Sequence, residues 1–162
     1  MKTIWFCGDN EEKLISIAEI VGEGLIMRDK NVEIIVQSEI REILGRGLKD
    51  TKEDKATFTN RLGFLGNLLH RNNIFAIIVS DAESNDRKNV KENYNNYLQI
   101  NLGNSDLLCD LTLDVNDDPK TNAKKIIDYL VKQNLIPENA QEVYSEDEEE
   151  EIRKRLEDLG YV

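Results

Sequence analysis

Nine residues, Gly8-Asp9-Asn10-Glu11-Glu12-Lys13-Leu14-Ile15-Ser16, come nearest in type and spacing to phosphate chemistry. They follow an apolar run, Thr3-Ile4-Trp5-Phe6-Cys7, and open a segment in which Ile17, Ala18, Ile20 and Val21 recur at helical spacing. A strand that turns into a helix presents free N–H groups and the positive end of the helix dipole, and so attracts anions. Holding a triphosphate there takes glycines that let the backbone wrap it, then a lysine and a hydroxyl residue for the β/γ-phosphates and Mg²⁺. In this chain three acids, Asp9, Glu11 and Glu12, stand where a phosphate would lie, and the order G-x-x-x-x-G-K-[ST] is absent. One carboxylate–phosphate contact at ~4 Å and an effective dielectric near 20 costs on the order of 4 kcal/mol. That is roughly a thousandfold in binding.

Other chemistry is thin. Asp9, Glu11, Glu12 and Glu39 together could hold a hard divalent cation, although acids at a helix start are also ordinary dipole partners. His70 is the single histidine and falls near the end of a long helical pattern, where a capping or surface role suits it. With one histidine a catalytic triad has little to draw on. Cys7 on an expected strand and Cys109 in a later apolar stretch make no disulfide framework, and read as buried thiols in a reducing cytosol.

The elements that must position these residues alternate as apolar runs and helical patterns, the signature of parallel βαβ units. The expected strands are Thr3–Cys7, Val32–Val36, Ile74–Val79, Tyr97–Leu102 and Leu111–Val115. The first helix is expected from about Glu11 to Arg28, a short one after Gln37-Ser38-Glu39 through Leu44, and a long one capped by Thr51 to about Arg71. Phe58, Leu62, Leu65 and Leu69 mark the inward face of that long helix. A further helix ends at Asn96, and Asp117-Asp118-Pro119 opens one over Thr121–Gln133. Ile74-Phe75-Ala76-Ile77-Ile78-Val79 is apolar without alternation, as a strand covered on both faces must be. The expected fold is α/β, a three-layer α/β/α arrangement around a roughly five-stranded parallel sheet.

The 162 residues suit one domain, 1–137, followed by an acidic linker and a C-terminal helix over 138–162. Net charge is −11, which argues against nucleic acid or an anionic membrane as partner. Residues 138–151 carry eight acids and no base. Beyond them Ile152, Leu156 and Leu159 leave a thin apolar stripe, fit to dock on the domain, on a second copy or on a basic partner. No segment approaches the ~18 uninterrupted apolar residues of a membrane span. The expected location is cytoplasmic.

Several stretches taken in order resemble one family. Trp5-Phe6-x-Gly8, Arg41-Glu42-Ile43-Leu44 with Leu48, Thr51-Lys52-Glu53-Asp54-Lys55, Asn60-Arg61-Leu62-Gly63-Phe64-Leu65 and the strand Ile74–Ser80 are similar to adenylylsulfate (APS) kinases. So are Asp106-Leu107-Leu108-Cys109, Leu113-Asp114 and Lys125-Ile126-Ile127-Asp128-Tyr129-Leu130. The resemblance covers roughly residues 3–137. It implies the P-loop kinase fold, and an ancestral activity that phosphorylates the 3′-hydroxyl of adenosine 5′-phosphosulfate with MgATP. It also implies dimers.

Against that pattern the chemical positions have changed. The family's loop, Gly-Leu-Ser-Gly-Ala-Gly-Lys-Ser-Thr, falls on Gly8 to Ser16, so that two glycines become Glu11 and Lys13, the lysine Leu14 and the following serine Ile15. The Asp-Gly-Asp after the second strand is replaced by Gln37-Ser38-Glu39, and the Gly-Phe that stacks on adenine by Lys49-Asp50. Arg41 matches a substrate-binding arginine. Lys55 stands for its partner without the bidentate fork, and Arg61 keeps one of two further arginines. The Ser-Pro-Tyr-Arg loop has become Glu83-Ser84-Asn85-Asp86. A lid with Arg-Asp-x-Lys-Gly-Leu-Tyr is missing, because Cys109-Asp110 runs directly into Leu111-Thr112-Leu113. Phosphoryl transfer rests on positioning and on cations about the phosphates, and a lid supplies part of both.

The expectation is therefore a pseudoenzyme with no catalytic residue, cofactor or metal. It would be retained as a partner or regulatory subunit in sulfate activation, paired with itself, with an active APS kinase or with another sulfate-activation enzyme. Two alternatives stay open. One is a sensor that binds an adenosine phosphosulfate or nucleotide through Arg41, Lys55 and Arg61, which otherwise read as surface or ion-pair residues beside Glu42, Glu53 and Asp54. The other is residual kinase activity.

Overall fold

Alternation along strands buried on both sides decides which layer each side chain joins. In the computed structural model, which describes residues 3–103 and 108–138 together with Lys154 and Glu157, five strands form one parallel sheet. They are β1 (Thr3–Cys7), β2 (Asn31–Val36), β3 (Ile74–Ser80), β4 (Tyr97–Leu102) and β5 (Leu111–Leu113), in the order β2-β3-β1-β4-β5. Ile4 and Phe6 of β1, Ile77 and Val79 of β3 and Ile100 of β4 face one side. There they meet Leu14, Ile17, Val21 and Leu25 of α1 (Glu11–Ile26) and Ala123, Ile126 and Leu130 of α5 (Pro119–Lys132). Trp5, Ile35, Ile78 and Tyr97 face the other, against Phe58 and Leu62 of α3 (Lys52–Arg71) and Val90 of α4 (Ser84–Tyr94). The short helix α2 (Gln37–Leu44) follows β2 without a loop and leans on this second layer through Ile40 and Leu44. The three-layer fold expected from the sequence is the one found.

Element ends differ in ways that capping explains. Helix α1 stops at Ile26 rather than Arg28, because Asp29 takes a left-handed φ of 55° and the chain turns there to enter β2. Helix α5 begins at Pro119, two residues before the expected start. Asp118 is its N-cap and accepts from the Thr121 N–H at 2.8 Å, and a proline suits the first helical turn, where no N–H is needed. Strand β5 ends at Leu113, since Asp114 instead accepts from Asn116 N at 2.8 Å in a turn. The β4–β5 connection is short for two parallel strands. It is fastened where Asp110 N donates to Gln99 O at 2.8 Å and Gln99 N donates to Asp110 Oδ2 at 2.8 Å.

Helix α3 sits unusually close to its neighbours at two glycines. A methyl group on Gly63 would come within 2.6 Å of Val90 Cγ1, and one on Gly66 within 2.8 Å of the Tyr97 hydroxyl. The Tyr97 hydroxyl donates to Gly63 O, and burial holds its pKa above the ordinary phenol range. The acidic linker and the expected C-terminal helix lie outside the described residues, apart from Glu138 and from Lys154 and Glu157, the last two helical and exposed. Among the described residues no helix is long and apolar enough to cross a membrane.

Candidate functional site

The β1–α1 turn lies at the carboxyl ends of the strands, beside the point where the strand order reverses between β1 and β3, where open α/β sheets hold ligands. Two of its backbone donors are already used. Asn10 is the N-cap of α1: its side-chain oxygen accepts from Lys13 N at 3.0 Å and its carbonyl from Leu14 N at 3.1 Å. Leu14, in the position of the family's lysine, is 1% exposed and packs into the layer between sheet and α1. Glu11 is held from the side by the Ser38 hydroxyl at 2.7 Å, Lys13 reaches away to the Val115 carbonyl, and Ser16 Oγ turns back to Glu12 O at 3.1 Å. Ile15 is half-buried. A helix start arranged this way is capped from within and lined by carboxylates. Asn10→Ala is expected to cost about 1 kcal/mol of stability, the ordinary worth of such a cap, which urea unfolding measures. Among the described residues no group of three or more His, Cys, Asp or Glu is placed to hold a metal ion.

A second feature lies over the ends of β2 and β3. A cavity of about 300 Å³ opens between α2, the start of α3 and the β3–α4 loop. Arg41 and Lys55 both line it. The Arg41 guanidinium sits 5.7 Å from the centre of the Phe58 ring, a cation–π distance. Lys55 Nζ is 3.0 Å from Asp50 Oδ1, and this hydrogen-bonded pairing, with Asp50's charge, raises the Lys55 pKa. Arg61 is not at this cavity: it lies on another face of α3, donates to Leu44 O at 2.7 Å and borders an apolar groove with Phe64 and Leu65. The structure thus brings together two of the three cations singled out from the sequence.

Sequence reasoning missed the acids that share this cavity. Asp81, Glu83 and Asp86 come from the loop after β3 and the first turn of α4. Asp81 accepts from Gln37 Nε2 at 2.5 Å. Asp86 is buried, and that burial, with the nearby charge of Glu83, raises its pKa above the ordinary carboxylate range. The loop is shaped by its own sequence. Ala82 N donates to Ser80 Oγ at 2.9 Å, and the buried Arg87 donates to Ala82 O at 3.0 Å and to Gln99 Oε1 at 2.7 Å. The available signal was position, since acids directly after a buried parallel strand stand at the ligand end of the sheet.

Comparison with known proteins places this architecture. The family model described as adenylylsulphate kinase matches residues 1–125. An adenylyl-sulfate kinase of Deinococcus deserti is 30% identical over 77 residues, 48% of this chain and 42% of that protein. An adenylyl-sulfate kinase of Gloeothece citriformis is 26% identical over 99 residues, 60% of this chain and 56% of its own. The chain therefore spans about half the length of the relatives it matches. The structure of the Mycobacterium tuberculosis APS kinase in complex with AMPPNP and APS superposes with a TM-score of 0.71 at 16% identity, over 80% of this chain and 96% of that one. With a family match over most of its length, this chain belongs to the adenylylsulphate kinase family.

Proposed function

We propose that this chain is a catalytically inactive member of its family, kept as a partner or regulatory subunit in sulfate activation. The observation that carries the reading is Leu14: the position that would bring a cation to the β/γ-phosphates is instead part of the core. The Asn10 cap and the acids at Asp9, Glu11 and Glu12 support it, because a triphosphate entering here would meet a helix start partly capped from within and like charge. The direct fastening of Asp110 to β4 supports it too, since in the sequence Cys109-Asp110 runs straight into Leu111 where the family's pattern has its lid. The relatives' names supply the setting, APS and its activation. A structural neighbour from Thiobacillus denitrificans is a hexameric APS kinase, and assembly with a second copy or an active kinase is the simplest use of an inert copy.

The test is a pair of measurements. Purified chain given MgATP and APS is expected to show no turnover above the protein-free reaction. Mixed with an active APS kinase, it is expected to co-elute or to change that enzyme's rate. Protein-dependent turnover that disappears on chelation would restore the kinase reading. A lone species that ignores the active kinase would remove the partner role. The sensor reading draws on Arg41 and Lys55 reaching one cavity, but Lys55 is already answered by Asp50 there, and the lining acids disfavour a phosphosulfate.

A further inference from the structure

The cavity beside α2 and α3 has a polarity opposite to that of an anion site. Its lining includes five carboxylates, Asp50, Asp54, Asp81, Glu83 and Asp86, against the three bases Arg41, Lys49 and Lys55. Several of these charges are already answered. Lys55 pairs with Asp50 at 3.0 Å, Asp54 Oδ2 accepts from Lys49 N at 2.7 Å, and Arg41 lies over Phe58. Asp86 is different: it is 8% exposed, lines the cavity, and no hydrogen bond or salt bridge reaches its carboxylate among the described residues. Its oxygens are not among the fully buried unpartnered atoms and so reach the open space of the cavity, while the burial around them penalises the ionised form. Glu83 stands at the same rim and Phe58, Leu48 and Ala82 add apolar surface.

We propose that this cavity binds a small organic cation, a protonated amine on a short apolar stem, with its ammonium group on Asp86 and Glu83. An ammonium offers three donors and no acceptor, which matches unanswered carboxylate oxygens. The volume of about 300 Å³ suits a ligand the size of a diamine. A metal ion is the weaker occupant, because no metal-like cluster forms among the described residues.

Acidity should govern this binding. Burial first, and Glu83 second, raise the Asp86 pKa, while Lys52 on α3 acts in the opposite sense. Lowering the pH through the folded pKa of Asp86 neutralises the acceptor and weakens amine binding. Glu83, Asp81, Asp54 and Asp50, and the bases Arg41, Lys49 and Lys55, face the same space from α2, α3 and the loops beside them. Because the folded pKa is raised, the ionised form costs stability at neutral pH, a cost relieved as the pH falls. Asp86→Asn is therefore expected to raise the urea midpoint at neutral pH, with the gain disappearing in acid.

Calorimetry of the full chain at low salt, with putrescine and agmatine as probes beside sulfate and APS, tests the assignment. Saturable binding of at least one amine is expected. Asp86→Asn should weaken it roughly tenfold or more, the worth of one charge-assisted hydrogen bond, while stabilising the fold. If that variant fails to fold, Glu83→Gln at the exposed rim should weaken amine binding by a smaller factor. Arg41→Ala, which removes a like charge from the same lining, should strengthen amine binding. Binding of sulfate or APS with neither amine bound overturns the proposal, as does amine binding that both acid variants leave unchanged, or silence from both amines at millimolar concentration. Each of these outcomes is independent of whether the chain phosphorylates APS.

Discussion

Leu14→Lys lowers the free energy of unfolding by at least about 3 kcal/mol, and gains no affinity for MgATP. The change returns to the turn the cation that the family uses, and in a working phosphate loop it would restore function. Here it deletes a core leucine, which alone costs about 2–5 kcal/mol. It also places an ammonium where Leu14 is 1% exposed, beneath a helix start whose dipole is positive. Urea unfolding followed by the fluorescence of Trp5, the one tryptophan in the chain, reads the loss. A variant as stable as the parent that is further stabilised by MgATP would show the turn to be a dormant nucleotide site, and the inactive reading would fall.

Trp5→Ala has an effect of similar size for a different reason. Trp5 is wholly buried in the layer between sheet and α3, its ring centre 5.7 Å from that of Tyr97 in a tilted arrangement. Removing so large a side chain from a packed layer costs about 3–5 kcal/mol. Trp5→Phe is expected to cost less than about 2 kcal/mol, because it keeps a ring against Tyr97. It also removes an indole N–H that has no hydrogen-bond acceptor among the described residues. Both variants lose the fluorescence reporter, so circular dichroism follows their unfolding. An alanine variant that matches the phenylalanine one would mean that the layer collapses to fill the space.

The fold was legible because its signals are local. Ile74–Val79 had to be a strand covered on both sides, and the Thr51 cap with Phe58 and Leu62 on one face fixed α3. The exchange of lysine for Leu14 was legible as lost chemistry, though not as a core position, which depends on how α1 rolls against the sheet. The cavity was half legible. Arg41 and Lys55 lie on different helices that only tertiary packing brings together. Arg61 was separable in principle, since six residues along a helix place it about 120° around the axis from Lys55. Asp86 was not separable: nothing in Glu83-Ser84-Asn85-Asp86 says that the last acid turns inward, because Arg87, anchored on Ala82 of the same loop and on Gln99 of β4, sets that loop.

The glycines at 63 and 66 bear on how the cavity would receive a guest. Lys55, Phe58 and Thr59 occupy the first half of α3, and the second half is seated so near α4 and the sheet that a single methyl group would collide. A wall clamped in this way has no hinge of its own. A guest would meet a preset mould and sacrifice little freedom of the protein on entry. Differences in fit among amines should then be felt mainly in residence time, with arrival rates nearly alike.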